Sequence, residues 1–215
     1  MLKRNIAIIL QGCGIMITGS MQLGFNRNDK AYPWLSMLLD GYEIINEGVE
    51  AAIQAEVARG ARHLACHKGC GNCCISQTDI PVYPHEVAGI YWYVTEKMPQ
   101  QAKSVLMSQL DTSNSCPFLG GQECMVHGMR PASCRVFNVF DSPCQPDEDP
   151  FYTRQFDVLI PPQEYINEAF YTVMPFYGVK DRYDRMDALQ EGLIQSQIMN
   201  LKSYNWKELF SEGGI

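Results

Sequence analysis

Four cysteines within nine residues give this sequence its clearest chemistry. They are Cys66, Cys70, Cys73 and Cys74, in the stretch CHKGCGNCC. Four more follow at wider intervals: Cys116, Cys124, Cys134 and Cys144. Because zinc and iron–sulfur sites are held by cysteine thiolates at short spacings closed by distant ones, the pattern predicts metal ligation by these eight residues.

Two interpretations without metal compete with this prediction. The first four cysteines have the spacing of one helical face, on which buried thiols pack as small apolar groups. However, Gly69 and Gly71 flank Cys70, and each glycine costs a helix about 1 kcal/mol relative to alanine, so we expect this segment to wrap. A complete set of disulfides is disfavoured, because the chain has nine cysteines and Cys73 directly precedes Cys74.

Positive charge accompanies the thiols in a chain whose formal net charge is -7. Residues 59–74 and 125–139 contain no acidic residue, and their cations are Arg59, Arg62, Lys68, Arg130 and Arg135. Nearby cations lower thiol pKa values and offset the negative charge of a thiolate centre. We therefore expect Arg130 and Arg135 to lie beside the bound cofactor.

The combined pattern resembles the YkgJ-type cysteine-cluster family, which is described as zinc- or iron-chelating. The resemblance covers about residues 60–140 and is carried by Cys66-x3-Cys70-x2-Cys73-Cys74, by Cys116-Pro117-Phe118-Leu119 with Cys124, and by Arg130-Pro131-x2-Cys134-Arg135. It implies metal binding by these seven cysteines and leaves Cys13 and Cys144 outside the shared pattern. A related cluster occurs in flagellin lysine N-methylases, so the resemblance also raises a role in protein modification.

Iron and zinc are the two candidate metals. Zinc would suit a tetrahedral site formed by Cys70, Cys73, Cys124 and His127. Adjacent cysteines and a total of seven or eight thiols suit an iron–sulfur cluster better. We favour an iron–sulfur or other iron centre that serves electron transfer or a protein-modification reaction. The alternative is a zinc-binding structural or interaction module without catalytic activity.

The other histidines carry separate expectations. His67 lies inside the cysteine loop and is a candidate ligand or hydrogen-bond donor to a ligand. His63 and His85 are expected at the surface or at a helix cap.

Composition limits the partners and the location. With 46% hydrophobic and 19% charged residues, the chain is typical of a globular protein. Its negative charge, without a stripe of Lys and Arg, argues against nucleic-acid binding. The apolar run at residues 6–10 is too short for a membrane span or a secretory signal. We expect a cytoplasmic protein whose partners are a metal ion or cluster and another protein.

Helical periodicity dominates the remaining sequence. It predicts helices at residues 33–59, 84–97, 99–110, 163–177 and 181–201. An extended piece is expected at 79–83, a hairpin around Gly120-Gly121, a helical turn opened by Pro131 and an acidic surface loop at 142–150. The predicted fold class is mainly α, a small helical domain with a short β-hairpin, organised around a cysteine-ligated metal centre.

The expected domain organisation is simple. Residues 1–20 would form an N-terminal extension, and residues 21–215 a single domain. Its cysteine-cluster core would span about residues 60–145, with flanking helices at 33–59 and 163–201.

Overall fold

The computed structural model describes residues 32–60, 62–67, 69–110, 115–145 and 147–211. These residues are mainly helical, with two small two-stranded sheets, which confirms the expected secondary-structure class. No helix in these ranges is both long enough and apolar enough to span a bilayer. The expected extension at residues 1–20, with Cys13, lies outside the described residues.

Helices and strands are numbered in chain order. The helices are α1 Pro33–Ala58, α2 Asn72–Ser76, α3 Pro84–Trp92, α4 Gln100–Gln109, α5 Ala132–Val136, α6 Pro150–Thr153, α7 Gln163–Val173, α8 Arg182–Gln190 and α9 Trp206–Ser211. The strands are β1 Pro81–Val82, β2 Leu119–Gly120, β3 Glu123–Cys124 and β4 Met199–Asn200. Helix α3 continues into a π-helical turn at Tyr93–Lys97, and α7 into a 3-10 turn at Met174–Tyr177.

Helix α1, of 26 residues, is the element on which α3, α5 and α7 pack. It starts at Pro33, whose fixed φ suits the first helical turn, and it ends just before Gly60, which takes a φ of 90°. Gly48 sets the approach of α7, because a Cβ at this position would lie 2.6 Å from the Cβ of Tyr165. The helix expected at 33–59 is therefore confirmed.

The two sheets place short extended segments beside the helices. Strands β2 and β3 form the hairpin expected around Gly120-Gly121, and they pair Leu119 with Cys124. Strand β1, expected as an extended piece, pairs antiparallel with β4, so that Val82 lies opposite Met199. The hairpin brings Cys124 next to the segment that begins at Cys116.

The C-terminal part of the chain differs from the expectation. The helix expected at 181–201 ends at Gln190, because Gly192 takes a left-handed φ of 72° and breaks the helical path. The chain then turns to form β4 and α9. Of the acidic surface loop expected at 142–150, residues 142, 143, 145 and 147 are exposed, whereas Cys144 is buried and Pro150 already begins α6.

The main apolar core lies between α1, α3, α4, α9 and the hairpin. Its completely buried side chains include Leu38, Ile90, Leu106, Phe118 and Phe210. Cys116 belongs to this core, and Cys74, Cys124 and Cys134 pack against it. The cysteines thus lie against an extensive apolar core and do not substitute for one.

Candidate metal centre

The cysteine-rich segment begins as a loop and ends as a short helix. Cys66 and Cys70 lie in the loop, where the amide of Cys70 donates to the carbonyl of His67 at 3.0 Å. Gly69 takes a φ of 84°, which a residue with a side chain rarely adopts. Helix α2 then carries Cys73 and Cys74. The expected wrapping is confirmed up to Gly71, and the last two thiols are helical.

The hairpin segment attaches directly to this helix. The amide of Cys116 donates to the carbonyl of Cys74 at 2.7 Å. The loop and the hairpin also touch at Gly71, where a Cβ would lie 2.5 Å from the carbonyl oxygen of Gln122. These two backbone contacts bring the distant halves of the cysteine pattern together.

Three thiols form a hydrogen-bonded chain at this junction. Cys73 bonds to Cys74, and Cys74 bonds to Cys116. Cys124, from the hairpin, and Cys134, from α5, lie within electrostatic reach of Cys73 and Cys74. Five of the eight predicted ligands therefore form one group, although they come from α2, the hairpin segment and α5.

Cys66 and Cys144 both lie within electrostatic reach of Cys73. The amide of Val139 donates to the sulfur of Cys66 at 3.3 Å. Cys144 is buried within electrostatic reach of Cys66 and Cys73, and its carbonyl accepts a 2.8 Å hydrogen bond from the side chain of Asn72. Cys70 is within electrostatic reach of Cys66. The structure thus brings all eight predicted thiols into one connected region.

Burial and contacts with neighbouring thiols raise the pKa of Cys73, Cys74, Cys134 and Cys144, which keeps these four protonated when no cation is bound. The pKa of Cys73 is raised by its hydrogen bond with Cys74 and by burial, and the hydrogen bond with Cys116 raises the pKa of Cys74 to about 12. Burial raises the pKa of Cys134 and brings the pKa of Cys144 to about 11. A bound metal ion would supply the positive charge that lets these thiols ionise.

Arg130 is a cation that lies close enough to the thiols to favour their ionised form. Its charge lowers the pKa of Cys66 and of Cys124, against the opposing effect of burial. Its Nη1 contacts Nε2 of His127 at 2.7 Å. Its Nε is buried and, among the described residues, has no hydrogen-bond acceptor. A buried donor without an acceptor beside several thiols fits a negatively charged group bound between them.

Arg135 is anchored within the fold near the same site. Its guanidinium donates to the carbonyls of Gly128 and Arg130, at 2.6 and 3.0 Å. It also lies 3.8 Å from the ring centroid of Tyr42 in α1. Its charge lowers the pKa of Cys124. Arg135 therefore fixes the turn that carries Arg130, in addition to its electrostatic effect on a thiol.

A buried carboxylate holds the start of α5, a role that the sequence pattern did not indicate. Both oxygens of Glu86 accept backbone hydrogen bonds, from Tyr83 at 3.0 Å and from Ala132 at 2.6 Å. The residue is completely buried, and burial raises its pKa to about 7. Its link to Ala132 positions the helix that carries Cys134. The available sequence signal is the acid at the third residue of α3, two residues after Pro84.

Two further cations near the cysteine loop are paired with carboxylates, and Lys68 lies outside the described residues. Arg59 pairs with Glu56, and Arg62 pairs with Asp141 and Asp157. Arg154 was not singled out from the sequence, yet its charge lowers the pKa of Cys144. It also pairs with Glu148 at 2.7 Å, and therefore fixes the loop that follows Cys144.

The histidines divide into exposed and buried positions. His63, His67 and His127 are exposed. The expectation that His85 lies at the surface or at a cap is wrong: the ring is buried, and its Nδ1 contacts the hydroxyl of Tyr177 at 2.5 Å. Burial lowers the pKa of His85 to about 3, so the ring is neutral. Aromatic side chains pack around the ring of His85 and bury it, and the sequence did not predict this packing.

The donor set fits a thiolate-bound metal by its chemistry. In the described part of the chain, no three His, Cys, Asp or Glu side chains already stand at the spacing that a metal ion requires. Binding would require the sulfurs to exchange their contacts with one another for bonds to the metal. The residues that would provide those bonds are the eight connected thiols, with Arg130 as a donor to the bound group.

Comparison with known proteins identifies the same region. No curated protein and no solved structure matches the chain. Residues 65–156 match the cysteine-cluster family CxxCxxCC, described as "Putative zinc- or iron-chelating domain". This match spans the cysteines from Cys66 to Cys144 and confirms the resemblance found in the sequence. Residues 65–156 of this chain are therefore similar to the CxxCxxCC family, while the match does not extend to the helices on either side.

Proposed function

We propose that this domain holds an iron–sulfur cluster, or another iron centre, through its clustered cysteines. The centre would serve electron transfer or a protein-modification reaction. The observation that carries the proposal is the group formed by Cys73, Cys74, Cys116, Cys124 and Cys134, beside the buried Nε of Arg130. When bound, the centre would supply the capacity to accept and donate electrons.

The number of thiols favours iron over zinc. A structural zinc site is closed by four ligands, whereas this region connects eight thiols from several segments. Arg130 and Arg135 add two positive charges that would offset a cluster ligated by several thiolates. Such centres are common in reducing compartments, which supports the proposal of a cytoplasmic protein.

The extensive apolar core bears on the alternative of a purely structural zinc module. Small zinc modules are unfolded without metal because they bury little apolar surface. Here the side chains of Trp92, Phe118 and Phe210 are already buried against α1 and α3 neighbours. A metal needed only for folding would therefore add little, and this supports a chemical role for the centre.

Anaerobic purification followed by iron, zinc and acid-labile sulfide analysis tests the proposal. We expect bound iron with sulfide and a broad visible absorption that bleaches on reduction. Cys134→Ser and Cys73→Ser should lose most of the iron, while Cys13→Ser, which changes the one cysteine outside the two groups, should keep it. Stoichiometric zinc without sulfide would support the structural alternative. Folded, metal-free protein from cells supplied with both metals would overturn both.

A further inference from the structure

Four large apolar side chains point into solvent along residues 151–160. The exposed fractions are 50% for Phe151, 82% for Tyr152, 94% for Phe156 and 79% for Ile160. Scattered exposed apolar residues are ordinary, but four of this size in ten residues are not. Phenylalanine and tyrosine of this kind commonly act as the anchors of protein–protein interfaces. We call residues 151–160 the aromatic segment.

The backbone of the aromatic segment is held firmly in place. The guanidinium of Arg62 donates to the carbonyl of Phe156 at 2.7 Å and to the carboxylate of Asp157 at 2.5 Å. The amide of Phe140 donates to the carbonyl of Asp157 at 2.9 Å, and the amide of Leu159 to the carbonyl of Asn138 at 2.8 Å. Rigid presentation of exposed anchors lowers the entropy lost when a partner binds.

Acidic residues outnumber basic residues in the stretch of chain that contains the exposed aromatic side chains. Residues 141–160 contain one cation, Arg154, and five acids: Asp141, Asp147, Glu148, Asp149 and Asp157. Arg62 and Arg154 are engaged by Asp141, Asp157 and Glu148. Asp147 is exposed, and Asp149 accepts a hydrogen bond from the amide of Phe151. The charge around the apolar anchors is thus negative, and a complementary surface would be basic.

The aromatic segment also adjoins the thiols. Val158 forms a β-bridge with Val139, whose amide donates to the sulfur of Cys66. Just before the aromatic segment, the carbonyl of Glu148 accepts a hydrogen bond from Ser76 in α2 at 2.9 Å. A molecule seated on this segment would therefore lie next to the cysteine region.

We propose that the aromatic segment is the docking site of a protein partner that presents lysine and arginine side chains around an apolar anchor. This inference goes beyond the proposed function and does not depend on which metal the cysteines hold. Partner binding at this place would bring the second protein beside the thiol-ligated centre.

Selection of peptides on the full-length protein tests the chemistry of this surface. A displayed library of random peptides, each about twelve residues long, would be selected on the immobilised chain, and its consensus peptides measured by calorimetry. We expect a consensus of basic residues around an aromatic or leucine side chain. Tyr152→Ser and Phe156→Ser should each weaken binding at least about tenfold. Because both side chains are largely exposed, these variants should keep the wild-type melting temperature.

Two controls separate the apolar and the charged contributions. Tyr183→Ser removes a tyrosine that is 77% exposed on α8, and it should leave peptide affinity unchanged. Asp147→Asn with Asp149→Asn removes two charges but keeps the left-handed φ of 63° at residue 147 and the cap at residue 149. This double variant should weaken binding and reduce its dependence on salt.

Several results would overturn the proposal. The first is that no peptide family is enriched, and the second is that the consensus contains no basic residues. The third is that the selected peptides bind Tyr152→Ser and Phe156→Ser as tightly as they bind the wild type. Sedimentation of the wild type as a dimer that Phe156→Ser dissociates would assign the face to a second copy of this chain. Metal content, measured on the same samples, tests the proposed function separately.

Discussion

The amide of Cys116 donates a 2.7 Å hydrogen bond to the carbonyl oxygen of Cys74. This bond joins the end of the first cysteine group to the start of the second. Because it is formed between backbone atoms, it does not depend on a metal ion. The fold thus brings the two cysteine groups together through its own hydrogen bonds and apolar packing. The thiols would therefore lie near one another before a metal binds.

Gly71→Ala should disturb this junction. The new Cβ would lie 2.5 Å from the carbonyl oxygen of Gln122, a backbone atom that can move only with the hairpin. We expect the free energy of unfolding to fall by about 1–3 kcal/mol in urea titrations, with less metal retained. Gly128→Ala is the control, because a Cβ there meets no described atom within 4 Å, and it should change stability by less than about 0.5 kcal/mol. Equal stability of both variants would contradict this packing.

Arg130→Met should weaken metal binding. The substitution removes the charge that lowers the pKa of Cys66 and Cys124, so these thiols ionise less readily. Loss of such a supporting donor typically costs about 10- to 100-fold in metal affinity, which competition with a chelator would measure. Arg185→Met is the matched control, since Arg185 lies over the ring of Tyr171 at 5.3 Å, outside the thiol region. Unchanged affinity in Arg130→Met would argue against a role for this guanidinium.

Glu86 should make stability fall as the pH rises from acidic to neutral. Burial raises its pKa from 4.5 to about 7, so the folded state binds more protons than the unfolded state in this interval. Its contribution is fully present below pH 4.5 and is lost as the pH rises towards 7. Glu86→Gln removes this dependence, worth about 3 kcal/mol across the interval. Urea titrations at several pH values would measure the difference, and identical slopes for wild type and variant would contradict it.

His85 is predicted to act in the opposite direction. Burial lowers its pKa from 6.5 to about 3, so the unfolded state binds more protons between these values. Its contribution to stability is therefore present above pH 6.5 and lost as the pH falls. His85→Gln should make stability at pH 5 closer to that at pH 7 than in the wild type, measured by the same titrations. A steeper loss on acidification in the variant would refute this assignment.

Asn72→Ala should loosen the loop that carries Cys144. The side-chain amide of Asn72 donates to the carbonyl of Cys144 at 2.8 Å, and its loss should cost about 1 kcal/mol. We expect faster hydrogen exchange at the amides of Cys144, Gln145, Asp147 and Glu148, measured by mass spectrometry. Gln163→Ala removes an exposed amide that donates to Asn167 in α7, and it should leave exchange in this loop unchanged. Equal protection in the two variants would count against a bridging role for Asn72.

Much of the fold follows from local sequence signals. Helix α1 could be predicted because Pro33, the apolar spacing and Gly60 define its start, face and end. The hairpin followed from Gly120-Gly121 between two short apolar pieces. The prediction of a helix at 181–201 was wrong beyond Gln190. Part of the remaining stretch forms strand β4, whose partner β1 lies far away in the chain. Pairing of that kind leaves no periodic signal in the strand itself.

The sequence by itself determined that this protein carries two groups of cysteines suited to a metal, since residue type and spacing are properties of the chain. Only the tertiary structure decided that Cys73, Cys74 and Cys116 touch, that the Nε of Arg130 is buried beside the thiols, and that Glu86 holds the helix of Cys134. The tertiary structure also decided that Phe151, Tyr152, Phe156 and Ile160 are exposed and that His85 is buried. The reason is physical: burial and long-range contact depend on how distant segments pack, and no short stretch of sequence contains that information.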